Sequence, residues 1–442
     1  MTPSALRCPR CAGGRLEPAE DALRCAECAY SYPVLSGIAC LMPEPGLWRS
    51  RLLSDLDEYL SATGRRLHQV SEETRQSSLL PRTHDRLLRT MRALGAERVR
   101  VQAFVASLSQ GVDRVPPSAI PTRAARTQEL TLLRSYENIF RDWAWGDPEN
   151  AVALGLIARL AIQPLGELAV LGAGAARLSV DVHQNLLPDR TYALDLNALP
   201  LLLAHRLLGG AELELYEFPV APHSDEQVAV LQRLSLPYSV REGLQLLYAD
   251  ALYPPFADAT LDSILTPWFI DVVDADLNET AALINRLLKP GGLWMNSGPL
   301  RFTGLLSRML CIEEVRDIVQ RSGFELVEDF AENVPYFDSP FSGSRRVETV
   351  FCFAARKVGE AEPVSHRGLE PDWVLNPELP IPLLPELVQT RRTSVFTTGV
   401  LSMIDGQRSI ADVAQALSRS WGLPAATVQD QLRTFLSRLV LS

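Results

Sequence analysis

Leu261-Asp262-Ser263-Ile264-Leu265-Thr266-Pro267-Trp268-Phe269-Ile270-Asp271 runs as an apolar strand into an acid. Asn278 to Leu288 follows with apolar residues at helical spacing. Lys289-Pro290-Gly291-Gly292-Leu293-Trp294-Met295-Asn296-Ser297-Gly298-Pro299 then turns into a second apolar strand. Strand, acid, helix, turn and strand make one unit of an α/β sheet whose consecutive strands run parallel. Strand ends of such sheets face the ligand crevice. Asp271 and the Asn296 to Pro299 tail are therefore expected at the ligand-binding end of the sheet.

The alternation extends in both directions. Upstream, Leu168 to Leu171 reads as a buried strand, and Gly172-Ala173-Gly174-Ala175-Ala176-Arg177 turns it into a helix. Thr191 to Leu194 is a strand ending at Asp195, Leu199 to Leu208 a helix, and Leu244 to Tyr248 a strand running into Ala249-Asp250-Ala251. Downstream, Glu313 to Ser322 reads as a helix, with strands at Phe324 to Phe330 and Val347 to Ala355. The fold class expected is α/β, a doubly wound, mainly parallel Rossmann-like sheet over residues 128–357.

Gly172 and Gly174 let backbone approach a ligand where a Cβ would intrude. Asp195 is placed to accept hydrogen bonds from a ribose diol, as acids do at this position in nucleotide-binding sheets. Asp250, with Ala251, Leu252, Pro254, Pro255 and Phe256 after it, suits an exocyclic amine and the face of an adenine. A dinucleotide site shares several of these features. The alternative without function is a set of acids that merely face water on strand ends.

At the other end, Cys8-Pro-Arg-Cys11 and Cys25-Ala-Glu-Cys28 form two C-x₂-C knuckles. Two such pairs close a tetrahedral Cys₄ site, so residues 1–46 are expected to form a zinc ribbon with a structural Zn²⁺. Four thiolates leave no open position for catalysis. Two disulfides are the alternative, disfavoured in a reducing compartment. Cys40, Cys311 and Cys352 sit among apolar neighbours and read as core residues.

With 442 residues, 47% of them hydrophobic and 22% charged, the chain suits two or three folded domains rather than disorder. The net charge of −10 opposes a nucleic-acid partner. No apolar run is long enough to span a bilayer, and no signal core precedes the first cysteine. A cytoplasmic location follows. Residues 47–127 read as a helical region, and helical pattern resumes from Gln128 to Trp145. Residues 358–390 are rich in proline and charge and read as a linker. A last module covers 391–442: one helix ends near Ile404-Asp405-Gly406, a second starts at Ser409, and a third spans Val428 to Leu439.

The Lys-Pro-Gly-Gly turn and the Asp250-to-Asp262 segment favour a methyltransferase sheet over a dinucleotide site. Together the motifs resemble the carnosine N-methyltransferase family, the class with the N2227-like domain. Phe140-Arg141-Asp142-Trp143 is similar to its Arg-Asp-Trp helix, and Gly172 to Leu178 to its Gly-Ala-Gly-x-Gly-Arg-Leu. Phe269-Ile270-Asp271, Asn296-Ser297-Gly298-Pro299-Leu300, Glu313-Glu314-Val315, Gly323-Phe324 and Arg356-Lys357 complete the likeness. It implies methyl transfer from S-adenosylmethionine to nitrogen. Gly172, Gly174, Arg177, Asp195, Asp250 and Ala251 would hold the cofactor, and Asp271 would face the nucleophile as the catalytic acid residue. The alternative is that Asp271 caps the following helix.

Three departures mark this chain. Ala176 stands at the third glycine position, Phe302-Thr303 replace a Tyr-His pair, and Arg345-Arg346-Val347-Glu348 replace a tyrosine cluster. A small-molecule or peptide amine is expected as the acceptor, and not carnosine itself. Residues 1–46 resemble the ribbon that precedes some ribosomal-RNA methyltransferases. The C-terminal module resembles PqqD-like domains, which implies a peptide or protein partner captured by strand addition. A packing module is the plainer reading. A non-catalytic binding protein and an RNA methyltransferase are the alternatives for the whole chain.

Overall fold

The computed structural model describes residues 5–11, 13–43, 45–108, 137–236, 238–273, 275–303, 306–362, 398–405, 408–421, 424–429 and 432. The chain divides into two compact units, Met1–Val364 and Ser365–Ser442.

The first unit opens with four short strands, β1 (Leu16–Ala19), β2 (Ala22–Cys25), β3 (Ser31–Leu35) and β4 (Ile38–Cys40). Two long helices follow, α1 (Pro45–Glu73) and α2 (Pro81–Leu108), which pack through Val70, Leu87 and Leu94. A π-helical turn at Arg141–Trp145 leads into α3 (Asp147–Leu160). The alternation then runs β5 (Glu167–Leu171), α4 (Arg177–Asn185), β6 (Arg190–Asp195), α5 (Ala198–Leu208), β7 (Leu213–Glu217), β8 (Val230–Leu234) and β9 (Leu244–Tyr248). It continues with β10 (Leu261–Pro267), α6 (Leu277–Leu287), β11 (Leu288–Gly298), α7 (Ile312–Arg321), β12 (Phe324–Tyr336) and β13 (Arg346–Lys357).

One sheet collects eleven strands in the order β1-β2-β3-β4-β9-β6-β5-β10-β11-β13-β12. The sheet as a whole is mixed and partly parallel, with the parallel pairs at its centre. Neighbours from β4 through β9, β6, β5 and β10 to β11 run parallel. β1 to β4 form an antiparallel meander, and β13 lies antiparallel to both β11 and β12. The cause is connection length. Ser36-Gly37 and residues 337–345 are too short for a crossover and can only reverse the chain.

Both faces of the parallel centre are covered, which is why its strands are apolar on successive residues. On one face Ala169, Tyr192, Leu247, Ile264 and Trp294 share a core with Ile284 of α6 and Val319 of α7. On the other, Val170, Leu265 and Met295 pack with Ile157 of α3 and Val182 of α4. Ala193 and Leu246 meet Leu201 and Ala204 of α5 on that same side.

Two local features depart from the sequence expectation. The Lys-Pro-Gly-Gly segment lies within the start of β11 as an irregularity, with Leu288 opposite Leu261 and Leu293 opposite Ser263. Lys289 Nζ donates to Asp262 Oδ1 at 2.7 Å, and Glu167 N–H donates to Oδ2 at 2.9 Å, so Asp262 ties three strand starts together. The second feature, the β7–β8 hairpin, forms its own two-stranded sheet, and Tyr216 N–H donates to Glu97 of α2 at 3.0 Å.

Cys40 and Cys352 are buried as expected, but Cys311 is exposed. It precedes α7 as its N-cap residue, and its N–H donates to Glu314 at 2.9 Å. Apolar neighbours in sequence did not place it in the core, because a helix start must keep its first amides near solvent or a cap.

In the second unit, α8 (Ile410–Trp421) is opened by a reciprocal cap. Ser409 N–H donates to Asp412 Oδ2 at 2.8 Å, and Asp412 N–H donates to Ser409 Oγ at 3.2 Å. Val400, Val413, Leu417, Val428 and Leu432 form its core. Most of the expected linker at 358–390, Gly406, and the expected helix beyond residue 432 lie outside the described residues. Among those described, no helix is long and apolar enough to cross a membrane.

Candidate functional site

The row β9-β6-β5-β10 brings four strand ends side by side. Gly172 begins the turn after β5, Asp195 closes β6, Asp250 follows β9, and Asp271 follows β10. Residues about a hundred positions apart in sequence thus lie at one end of the sheet, where parallel α/β folds bind ligands.

The glycine turn is built by its amides. Gly172 N–H and Ala173 N–H both donate to Leu194 O, at 3.0 and 2.8 Å, and Gly174 N–H donates to Asp195 Oδ2 at 2.7 Å. Gly172 has φ +76°, and a Cβ there would lie 2.8 Å from the Phe269 ring. Both conformation and space therefore exclude a side chain. Ala176, at the third small position, is buried with φ 63°, a left-handed conformation that strains an L-residue by about 1–2 kcal/mol.

Asp195 accepts a second amide at its other oxygen, from Asn197 N–H at 2.7 Å. Burial pushes its carboxyl up to about 6, against the pull of the Asn197 and Gly174 amides. Asp250 accepts from Leu252 N–H at 2.8 Å, which shapes the turn carrying buried Ala251. β6 and this turn are joined by Ala249 N–H donating to Asp195 O at 3.1 Å.

Arg177 points elsewhere. Its guanidinium pairs with Asp181 at 3.0 Å and Asp147 at 3.0 Å, and donates to Asp142 O at 2.9 Å. Trp143 Nε1 donates to Ala175 O at 2.9 Å. The Arg-Asp-Trp turn and Arg177 thus brace the glycine turn from behind, a role that sequence reading left unassigned to Asp142 and Trp143.

Asp271 is 7% exposed. Its Oδ2 accepts from Arg301 N–H at 2.9 Å, while Oδ1 is buried without a hydrogen-bond partner among the described residues. Burial raises its pKa above the usual carboxylate value. The capping alternative does not hold, because Asp276 caps α6 by accepting from Asn278 N–H at 2.8 Å.

Asn296 is fully buried. Its side chain accepts from Thr266 Oγ1 at 3.0 Å and donates to Phe351 O at 3.1 Å, so it links β10, β11 and β13. Phe302, at the position of the absent Tyr-His pair, packs against the main core. Glu348 pairs with Arg301 at 3.1 Å and also with Arg346. Trp268 has φ 51° and stacks on Tyr336 with ring centroids 4.2 Å apart. A bulky residue in that conformation is a frequent mark of functional segments. Only the fold reveals this stack, since no local pattern pairs positions 268 and 336.

The four N-terminal cysteines converge, with all four Sγ atoms within 4.8 Å of one another. Cys8 and Cys28 are 3.7 Å apart, Cys11 and Cys25 3.6 Å, and none is disulfide-bonded. Tetrahedral Zn–S bonds of about 2.3 Å place sulfurs roughly 3.8 Å apart, so the cluster fits zinc. A Cβ on Gly14 would lie 2.1 Å from Cys25 Sγ, so the loop closes over the sulfurs only because residue 14 has no side chain. Gly13 and Gly14 amides lower the Cys11 pKa, while against the Tyr30 amide the neighbouring cysteines raise that of Cys28, so the four sulfurs share their protons and do not all ionise together without an ion.

No protein-family model matches the chain, and no curated protein matches it either. Solved structures match over about half its length. A putative methyltransferase from Bacillus halodurans is 11% identical with TM-score 0.33, over 46% of this chain and 97% of that one. A SAM-dependent methyltransferase from Methanosarcina mazei is 13% identical with TM-score 0.32, over 47% and 98%. An N-methyltransferase of Haemonchus contortus in complex with S-adenosylhomocysteine is 17% identical with TM-score 0.32, over 49% and 47%. The chain is distantly similar to these proteins in fold.

Proposed function

We propose that the chain is an S-adenosylmethionine-dependent methyltransferase that methylates a nitrogen of a peptide or small amine. The observation carrying this reading is the pairing of Asp195 with the Gly172–Gly174 turn, beside Asp250 on the next strand end. An acid locked to a glycine turn by its amide, next to a second acid in an apolar turn, suits a ribose diol and an adenine.

The residues present fit the cofactor. Asp195 would accept from the diol, Asp250 would meet the exocyclic amine, and Ala251 would pack against the ring. When bound, S-adenosylmethionine supplies an electrophilic methyl on a cationic sulfur. Asp271 holds the acceptor nitrogen through Oδ1 and offsets the positive charge that develops there. Its burial keeps water from competing for that oxygen. Calorimetric titration with S-adenosylhomocysteine tests the reading, and zinc-loaded, folded protein that takes up none would end it.

A second reading is a cofactor-binding protein without turnover. Partly buried Phe302 and exposed Thr303 where a Tyr-His pair is expected, and strained Ala176 in the glycine turn, support it. S-adenosylhomocysteine uptake with no methyl acceptor in peptide and amine panels would favour it. The acidic net charge of −10 argues against the RNA reading. For residues 391–442 we assign recruitment of the peptide acceptor, tested by crosslinking a peptide substrate to the full chain.

A further inference from the structure

In a doubly wound sheet each crossover between parallel strands normally lays a helix over the sheet. The β9–β10 crossover, residues 249–260, contains turns and no helix. The face it leaves is nevertheless covered. Tyr192, Leu194, Leu247 and Ala249 share one core with Leu6, Leu16, Tyr32 and Leu41 of the cysteine hairpin region.

That region grips the crossover from both sides. On one side β4 extends the sheet beside β9, with Ala39 opposite Leu247 and Cys40 opposite Tyr248, and Leu41 N–H donates to Tyr248 O at 2.8 Å. On the other, Leu6 faces Phe256 in an antiparallel bridge. There Arg7 N–H donates to Pro255 O at 2.9 Å, and Ala257 N–H donates to Ala5 O at 3.1 Å. Leu6 and Phe256 are both buried, and the Phe256 ring meets Tyr192 of β6 edge-on at 5.3 Å. Asp250 and Ala251 lie between the two grips.

The second grip is one residue from a sulfur. Arg7 precedes Cys8, whose Sγ lies 3.0 Å from the Tyr32 hydroxyl of β3. Ligation therefore fixes residues 5–8 to the rest of the hairpin. Small metal-bound modules draw much of their folding energy from the ion. Besides the sulfurs, the strip is tied to the hairpin by Cys8 N–H donating to Gly14 O at 2.8 Å and by the Arg7–Arg15 bridge, and both partners lie in the loop between Cys11 and Cys25 that ligation would close.

We propose that the metal-loaded cysteine hairpin is a clamp on the Asp250–Ala257 turn, so that metal occupancy sets cofactor affinity. Leu6 is then a positioning residue that touches neither metal nor cofactor. The inference rests on the cofactor reading above for its consequence, while the clamp itself rests on contacts alone.

The test compares the full-length protein loaded with zinc and stripped by a chelator, with zinc content measured in each. Hydrogen exchange should quicken at Arg7 and across residues 252–257 on stripping, while amides of Ile264 and Met295 stay protected. S-adenosylhomocysteine affinity should fall about tenfold if the ordered turn drops to a tenth of the population. Stripped protein with unchanged exchange at 252–257 and unchanged affinity overturns the clamp. Should stripping unfold the whole chain, Leu6→Ala decides: zinc retained with at least about threefold weaker affinity supports the clamp, by the same population argument. Zinc retained with wild-type affinity overturns it. If zinc-loaded protein takes up no S-adenosylhomocysteine, the cofactor reading fails, and the exchange at Arg7 and Ala257 still decides the clamp.

Discussion

Asp195 and Asp271 both follow central parallel strands, yet their surroundings differ in kind. Both oxygens of Asp195 accept backbone amides, from Gly174 and Asn197. Asp271 accepts one such bond, from Arg301, and keeps its other oxygen buried and without a partner among the described residues. A buried unsatisfied carboxylate oxygen is expensive unless something completes it. Asp195, the proposed cofactor acid, is thus satisfied by the fold itself. Asp271 is not finished in this way, and a substrate N–H is the donor proposed for its open oxygen.

The largest effect should come from the unfinished acid. Asp271→Asn is expected to cut turnover by about a thousandfold, within the range for a positioned acid or charge stabiliser. S-adenosylhomocysteine affinity should move little, and loss of both together would place Asp271 on the cofactor side and erase the contrast. Asp195→Ala removes the acceptor of two amides and of the proposed diol. Calorimetry should show affinity weakened by about a hundredfold, the scale of two charge-assisted hydrogen bonds.

Acidity sharpens the contrast next. The Asp195 carboxyl sits at about 6, above its unfolded value near 4. A raised carboxyl contributes stability at low pH that is lost as pH rises through the folded value, so the apo fold is taxed at neutral pH to keep Asp195 ionised. Diol binding needs the ionised form, so S-adenosylhomocysteine affinity should fall about tenfold per pH unit below roughly 6. Affinity that is flat from neutrality to pH 5 would remove Asp195 from the diol. The smallest effect is expected at Ala176→Gly. Relief of a left-handed alanine and loss of a buried methyl are each about 1 kcal/mol and oppose one another. Stability and cofactor affinity should both stay near wild type, and a large gain in turnover would show that Ala176 restrains the glycine turn.

The strand ends were legible because their signals are local. An apolar run, an acid and a glycine turn are all written within a few residues, and Asp195, Asp250 and Asp271 do lie at the same end of the row β9-β6-β5-β10. The cysteine pairs were legible for the same reason, since C-x₂-C spacing already aims two thiolates at one point. Arg177 shows the limit. Its motif position suggests a ligand contact, but Asp181, Asp147 and the Asp142 carbonyl occupy its guanidinium. Asn296 likewise reads as a site residue and is spent on cross-strand bonds. Long polar side chains go where partners appear, and those partners come from other segments.

What the sequence by itself determined was the alternation of strands and helices, the positions of the strand-end acids and the four-sulfur cluster. All of these follow from periodicity and short spacing, which depend on backbone geometry alone. Only the tertiary structure decided that the cysteine hairpin extends the same sheet beside β9, that it covers a crossover without a helix, and that one oxygen of Asp271 is buried with no hydrogen-bond partner among the described residues. Those are outcomes of competition for buried surface and for hydrogen-bond partners among segments far apart in the chain, and no local pattern carries them.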